Sequence, residues 1–141
     1  MNMLISACLL GQYCRYDGQM KVYPQVQALL NRDDIHLIPV CPEQAGGLAT
    51  PRPAAERQGD QVVTAKGIDV TTQYRCGAEA ALYWARLFHC TKAILKEKSP
   101  SCGHGQIYDG TFSRTLTAGD GVTAALLRAE GLEIIGESDL R

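Results

Sequence analysis

The sequence predicts an α/β fold: a single-domain, mostly parallel sheet flanked by helices, in a Rossmann-like three-layer sandwich. Short apolar runs alternate along the chain with segments that have the spacing of helices. These runs are mostly apolar, which is typical of parallel strands buried on both faces. The 141 residues are enough for one domain with a buried core, and we expect residues 1–141 to form it.

Four short apolar runs predict the strands of this sheet. They span residues 3–7, 36–40, 93–95 and 132–135. A short hairpin is also predicted between Arg57 and residues 62–63, because the Gly59-Asp60 step between them is compatible with a turn. The rest of segment 44–60 is rich in Gly, Pro and Ala and is predicted to be an ordered loop.

Three helices are predicted from apolar residues at helical spacing. They span residues 24–31, 69–87 and 122–129. Pro24 suits the first turn of the first helix. Asp69 is the predicted N-cap of the second, and Asp120 or Thr117 that of the third. Gly131 follows the third helix and is expected to end it.

Composition and charge exclude several classes of function. The net charge is −1, and no basic stripe with interleaved aromatic residues occurs, so we expect no nucleic-acid partner. No apolar stretch approaches the roughly 20 residues that span a bilayer, and the N-terminus lacks the basic start of a secretory signal. We therefore expect a cytoplasmic protein without a membrane partner. Its oligomeric state is left open.

Three of the six cysteines occupy equivalent places in the predicted sheet. Cys8 follows the first strand, Cys41 follows the second, and Cys102 lies in the loop after the third. Because the carboxyl ends of parallel strands lie along one edge, these residues are expected to meet there. Three soft thiolates in a reducing compartment suit either zinc or an iron–sulfur cluster.

Side chains near these cysteines suggest proton transfer. Glu43 is two residues from Cys41, and Ser99 and Ser101 precede Cys102. A carboxylate and a hydroxyl beside a metal site are what acid–base chemistry on a bound substrate requires. His104 is the remaining candidate ligand, but a Cys-x-His pair is shorter than the usual zinc spacing, so we expect it in a surface loop.

The other cysteines have simpler interpretations. Cys76 and Cys90 fall on or at the end of the long helix, where free cysteines are commonly packing residues. Cys14 is compatible with a fourth ligand, a structural thiol or a resolving cysteine. We favour a non-ligand role for it, because a cluster with four cysteine ligands has no iron open to substrate.

Several motifs in fixed order resemble those of the 2-thiouracil desulfurases, and the likeness runs over nearly the whole chain. The matching segments are Ser6-Ala7-Cys8-Leu9-Leu10-Gly11, Cys14-Arg15-Tyr16-Asp17-Gly18, Val40-Cys41-Pro42-Glu43, Gly47-Leu48, Pro51-Arg52-Pro53, Lys98-Ser99-Pro100-Ser101-Cys102-Gly103, Tyr108-Asp109-Gly110-Thr111-Phe112 and Gly119-Asp120-Gly121-Val122-Thr123-Ala124. This family was long catalogued as bacterial proteins of unknown function.

The resemblance implies an enzyme that desulfurates a thiolated base, such as 2-thiouracil, without net redox change. It implies a 4Fe–4S cluster held by Cys8, Cys41 and Cys102, with one open iron that takes the thiocarbonyl sulfur. Glu43 matches the family's acid–base glutamate, and Ser99, rather than Ser101, best matches its catalytic serine. The partner is then a small thiolated base, nucleoside or nucleotide. The alternative function is a non-catalytic zinc-binding, cluster-binding or sulfur-carrier module.

Overall fold

The computed structural model describes residues 1–140 and contains eight strands and four α-helices in that range. The strands are β1 (Asn2–Ser6), β2 (His36–Val40), β3 (Ala55–Gln58), β4 (Gln61–Thr64), β5 (Lys92–Leu95), β6 (Gln106–Tyr108), β7 (Leu116–Ala118) and β8 (Glu133–Gly136). The helices are α1 (Pro24–Leu30), α2 (Pro42–Ala45), α3 (Thr71–Leu87) and α4 (Val122–Ala129). Short 3-10 turns span Ala7–Leu10 and Glu137–Asp139.

Four strands form a central parallel sheet in the order β2-β1-β5-β8. Side chains of β1 alternate between its two faces, as strand geometry requires. Leu4 packs with residues of α3 and α4, whereas Met3 and Ile5 pack with Val26 of α1. Both faces are therefore covered by helices, and the predicted three-layer α/β architecture is confirmed.

The short helix α2 lies directly against α3, with backbone touching backbone. A Cβ atom built on Gly77 of α3 would lie 1.8 Å from the carbonyl oxygen of Pro42. A Cβ on Gly46, just after α2, would lie 1.9 Å from the carbonyl oxygen of Gln73. Only glycine permits this approach at both positions. The contact fixes α2, and with it Glu43, on the rigid long helix.

Two antiparallel hairpins flank the sheet. The hairpin of β3 and β4 turns at Gly59-Asp60, as predicted. The hairpin of β6 and β7 was not predicted, because its strands are only three residues long and carry no apolar alternation. Helix α2 was missed for a similar reason, since four residues after a cysteine carry no periodic signal.

Both predicted side-chain N-caps are wrong. Val70 is the N-cap of α3, although the Asp69 carboxylate still accepts a hydrogen bond from the N–H of Thr71 at 2.8 Å. Gly121 is the N-cap of α4, whose first N–H groups, on Val122 and Thr123, donate to the carbonyls of Pro100 and Ser101 in the loop between β5 and β6. Tertiary contacts thus satisfy the first N–H groups of α4 in place of a capping side chain.

Within residues 1–140, no helix has the length and apolarity needed to traverse a bilayer.

Candidate active site

The carboxyl edge of the parallel sheet opens into a cavity of about 480 Å³. Ser6 of β1 pairs in register with Val40 of β2, so both strands end at the same level. Cys8 follows in the 3-10 turn after β1, and Cys41 follows β2 directly as the N-cap of α2. Both line the cavity. The ends of β1 and β2 therefore bring Cys8 and Cys41 to one cavity, as the strand order predicts.

Cys102 reaches the same cavity from the loop between β5 and β6. Its thiol is buried, with the residue only 5% exposed. The hydroxyl oxygen of Ser99 accepts hydrogen bonds from the N–H groups of Ser101, at 3.0 Å, and Cys102, at 3.1 Å. The carbonyls of Pro100 and Ser101 in turn accept bonds from the start of α4. The Ser99 hydroxyl and the start of α4 therefore both hold the backbone of this loop, which fixes the position of Cys102.

Cys14 lies beside two of the predicted ligands. The Cys41 thiol donates to the Cys14 carbonyl at 3.7 Å. A hydrogen bond with Cys41 lowers the pKa of the Cys14 thiol, but the neighbouring Cys8 thiol and burial outweigh this and raise it to about 11. The structure thus puts Cys14 at the site rather than away from it. Its predicted non-ligand role stays a prediction.

Two of the predicted ligand thiols, those of Cys41 and Cys102, have raised pKa values, which favour their protonated form. Burial raises the pKa of Cys102 to about 12, against a lowering by the nearby Ser6 hydroxyl. The hydrogen bond with Cys14, together with burial, raises the pKa of Cys41. Thiolates rather than thiols bind metals, so loading this site requires these protons to leave.

The donor set fits an iron–sulfur cluster. All six cysteines are free, and Cys8, Cys41 and Cys102 present soft sulfur donors to one cavity. Across residues 1–140, no three His, Cys, Asp or Glu side chains come together closely enough to hold a single metal ion. Thiolates from separate segments of the chain can each ligate a different iron of one cluster.

Glu43 is held at the cavity by an ion pair that the sequence did not predict. The Arg52 guanidinium donates from Nε to Glu43 Oε2 at 2.8 Å and from Nη2 to the same oxygen. Both side chains are largely buried, 6% exposed for Arg52 and 12% for Glu43. Since both bonds end on Oε2, Oε1 is free of the guanidinium. Burial, and next the charge of Glu43, raise the pKa of the neighbouring Tyr74 hydroxyl.

Arg52 also binds the loop that carries Cys14. Its Nη2 donates to the Cys14 carbonyl at 3.0 Å, and its Nη1 donates to the Ala49 carbonyl at 3.1 Å. The guanidinium therefore joins Glu43 to the cysteine loop. The only sequence signal for this role was the match of Pro51-Arg52-Pro53 to a family motif.

The two candidate serines differ sharply in environment. Ser101 is fully buried, and its hydroxyl lies 2.8 Å from the Thr123 hydroxyl. Ser99 lines the cavity, and Ser101 does not. Because the Ser99 oxygen already accepts two N–H bonds, its own O–H remains available to donate. This geometry favours Ser99.

Comparison with known proteins decides the family. The model of the 2-thiouracil desulfurase family matches residues 3–139. The chain belongs to this family. It is 42% identical to the uncharacterized protein YbbK of Bacillus subtilis (strain 168), over 97% of this chain and 96% of that protein.

A solved structure agrees with the assignment to the desulfurase family. The chain resembles a protein described as the 4Fe–4S-dependent thiouracil desulfidase TudS, with a TM-score of 0.92 and 49% identity. The match covers 99% of this chain and 92% of that one. The fold class and the family predicted from the sequence motifs are both confirmed by these comparisons.

The Arg52–Glu43 pair should be important for stability. We expect Arg52→Ala to lower the free energy of unfolding by about 3–5 kcal/mol, because it leaves a largely buried carboxylate unpaired. Chemical denaturation of the cluster-free protein measures this. Arg32→Ala is the matched control, since its ion pair with Asp34 is exposed on both sides and little change is expected. Equal stability of both variants and the wild type would contradict the role assigned to Arg52.

Proposed function

We propose that the cavity at the sheet edge carries out the desulfuration of a thiolated base, with Cys8, Cys41 and Cys102 holding the cluster and Glu43 and Ser99 acting on the substrate. The chain is an enzyme of the thiouracil desulfurase family and cleaves a C–S bond. The observation that carries the proposal is that these three cysteines, Glu43 and Ser99 all line one cavity. We propose that residues 1–141 form one catalytic domain.

The proposed cofactor is a 4Fe–4S cluster with three cysteine ligands and one iron open to substrate. When bound, such a cluster supplies a thiophilic Lewis acid that makes the carbon of a C=S group more electrophilic. Cys14 is left as a non-ligand. The TudS structure, described as 4Fe–4S-dependent, supports the choice of cofactor for this chain.

The chain's own residues supply the proton transfers. In the overall reaction a C–O bond to water replaces the C–S bond and sulfide leaves, so no electrons are exchanged. The Oε1 atom of Glu43 takes a proton from the attacking water. Arg52 keeps the carboxylate in place through Oε2. The O–H of Ser99 donates a hydrogen bond to the thiolated substrate and orients it.

The substrate is a small thiolated base, nucleoside or nucleotide. A cavity of about 480 Å³ is of the size that holds small molecules. We place the enzyme in the cytoplasm, where thiols stay reduced and free cysteines are available as ligands.

Anaerobic purification followed by a thiouracil assay tests this function. We expect a brown protein with a broad absorption band near the visible–ultraviolet edge, which releases sulfide and uracil from 2-thiouracil in equal amounts. A colourless zinc protein would support the alternative of a non-catalytic metal-binding module. An iron-loaded protein that releases no sulfide from any thiolated base would support a cluster or sulfur carrier instead.

A further inference from the structure

A loop between β6 and β7 borders the cavity. We call residues 109–115 the cap loop. Its side chains Phe112 and Arg114 line the cavity, as does Tyr108 at the end of β6. Phe112 is half-buried, and Arg114 is exposed. The cap loop therefore adds an aromatic ring and a cation to the cavity that also holds the cysteines, Glu43 and Ser99.

A buried carboxylate holds the backbone of the cap loop. Glu56, on β3, is only 9% exposed. Its Oε1 accepts hydrogen bonds from the N–H groups of Gly110, at 3.0 Å, and Phe112, at 3.2 Å. Gln58, also on β3, donates to the Gly110 carbonyl at 2.8 Å. Glu56 has no ion-pair partner among the described residues. Its hydrogen bonds instead go to the loop backbone.

The backbone of the cap loop is strained at two residues that line the cavity. Phe112 has a φ of 58° and Arg114 a φ of 60°, both in the left-handed region. Residues other than glycine adopt this region at an energetic cost, and such positions persist only where surrounding contacts enforce them. The bond from Phe112 N–H to Glu56 is such a contact. Strain of this kind clusters at ligand-binding sites.

We propose that the cap loop is the substrate-positioning element, with Phe112 stacked on the face of the thiolated base and Glu56 as the positioning residue that fixes Phe112. This inference rests on the proposed function, because it takes a flat heteroaromatic ring as the substrate. An aromatic side chain offers such a ring a broad apolar contact in an offset-stacked geometry. A ring stacked on Phe112 keeps its edge, which carries the sulfur, free within the cavity that Cys8, Cys41 and Cys102 also line.

Variants of Phe112 test the stacking. We expect Phe112→Ala to raise KM for 2-thiouracil about tenfold, the order found for removing an aromatic residue stacked on a base, with a smaller change in kcat. Phe112→Leu keeps the apolar volume and should resemble Phe112→Ala, whereas Phe112→Tyr keeps the ring and should resemble the wild type. Phe88→Ala is the matched control, since Phe88 lies at the end of α3 outside the cavity. Wild-type KM in both Phe112→Ala and Phe112→Leu would overturn the proposal.

Variants of Glu56 test the positioning role. Glu56→Ala should raise KM as Phe112→Ala does and should speed hydrogen exchange at the amides of Gly110 and Phe112. Glu56→Gln keeps an acceptor oxygen and should restore most of both properties. A Glu56→Ala variant with faster exchange but unchanged KM would overturn the positioning role, because the loop would then be irrelevant to binding.

Binding of uracil to the iron-loaded protein separates this inference from the proposed function. Uracil has the same flat ring but no sulfur, so its binding, followed by ligand-observed NMR, does not depend on turnover. Weaker uracil binding in Phe112→Ala supports the cap-loop proposal even if no thiolated base is desulfurated. Undiminished uracil binding in Phe112→Ala, with normal sulfide release by the wild type, overturns the cap-loop proposal alone.

Discussion

Glu43→Gln is expected to retain iron and to lose turnover by about two to four orders of magnitude, the range for general acid–base groups. Gln keeps the shape of the side chain, and its carbonyl oxygen can still accept from Arg52 as Oε2 does now. It has no basic oxygen to take a proton from water. Sulfide release from 2-thiouracil per iron-loaded protein measures the effect.

The matched control is Glu79→Gln, which makes the same change at an exposed position on α3. It should leave both iron content and sulfide release unchanged. Near-normal sulfide release by an iron-replete Glu43→Gln variant would contradict the acid–base role. If iron is lost together with activity, Glu43→Asp, which keeps the carboxylate, distinguishes a damaged site from a missing base.

Cys41→Ser is expected to lose most of the iron. A serine hydroxyl is a hard, weakly acidic ligand, and it replaces a soft thiolate at the end of β2, where α2 begins. Cys76→Ser and Cys90→Ser should keep their iron, because neither cysteine lines the cavity. Iron and acid-labile sulfide are counted after anaerobic purification of all three variants. Equal iron in the three would exclude Cys41 as a ligand.

Cys14→Ser belongs in the same series and tests the ligand assignment more strictly. The thiols of Cys8 and Cys41 neighbour Cys14, so proximity alone does not distinguish it from a ligand. We expect the Cys14→Ser variant to retain its iron and to release sulfide. Loss of iron in this variant would mean that Cys14 is a ligand and that the open iron is absent.

The parallel sheet and the meeting of Cys8 with Cys41 were predictable because both follow from simple rules. Apolar runs identify buried strands, and parallel strands bring their carboxyl ends to one edge. Cys102 was placed by the same rule, although its loop is held at the edge by contacts with α4 that no local pattern encodes. The rule that parallel strands share one carboxyl edge thus predicts the position of residues that directly follow a strand.

Contacts between loops were not predictable. Glu43 lies in the four-residue helix α2 and Arg52 in the loop before β3, and neither segment has a period from which their pairing follows. Asp120 illustrates the same limit: its carboxylate accepts from the N–H of Gly105 and pairs with Arg128 instead of capping α4. In each case a tertiary partner, absent from the local sequence, decides what the side chain binds.

In the proposed site, three cysteines leave one iron of the cluster open to the sulfur of the substrate. Mössbauer spectra of anaerobic ⁵⁷Fe-labelled wild type, recorded with and without 2-thiouracil, test it most directly. The account predicts one iron with a distinct environment, whose signal alone changes when the base is added, and the same behaviour in Cys14→Ser. Four equivalent irons whose signals do not change when the base is added, together with loss of one iron in Cys14→Ser, would contradict it.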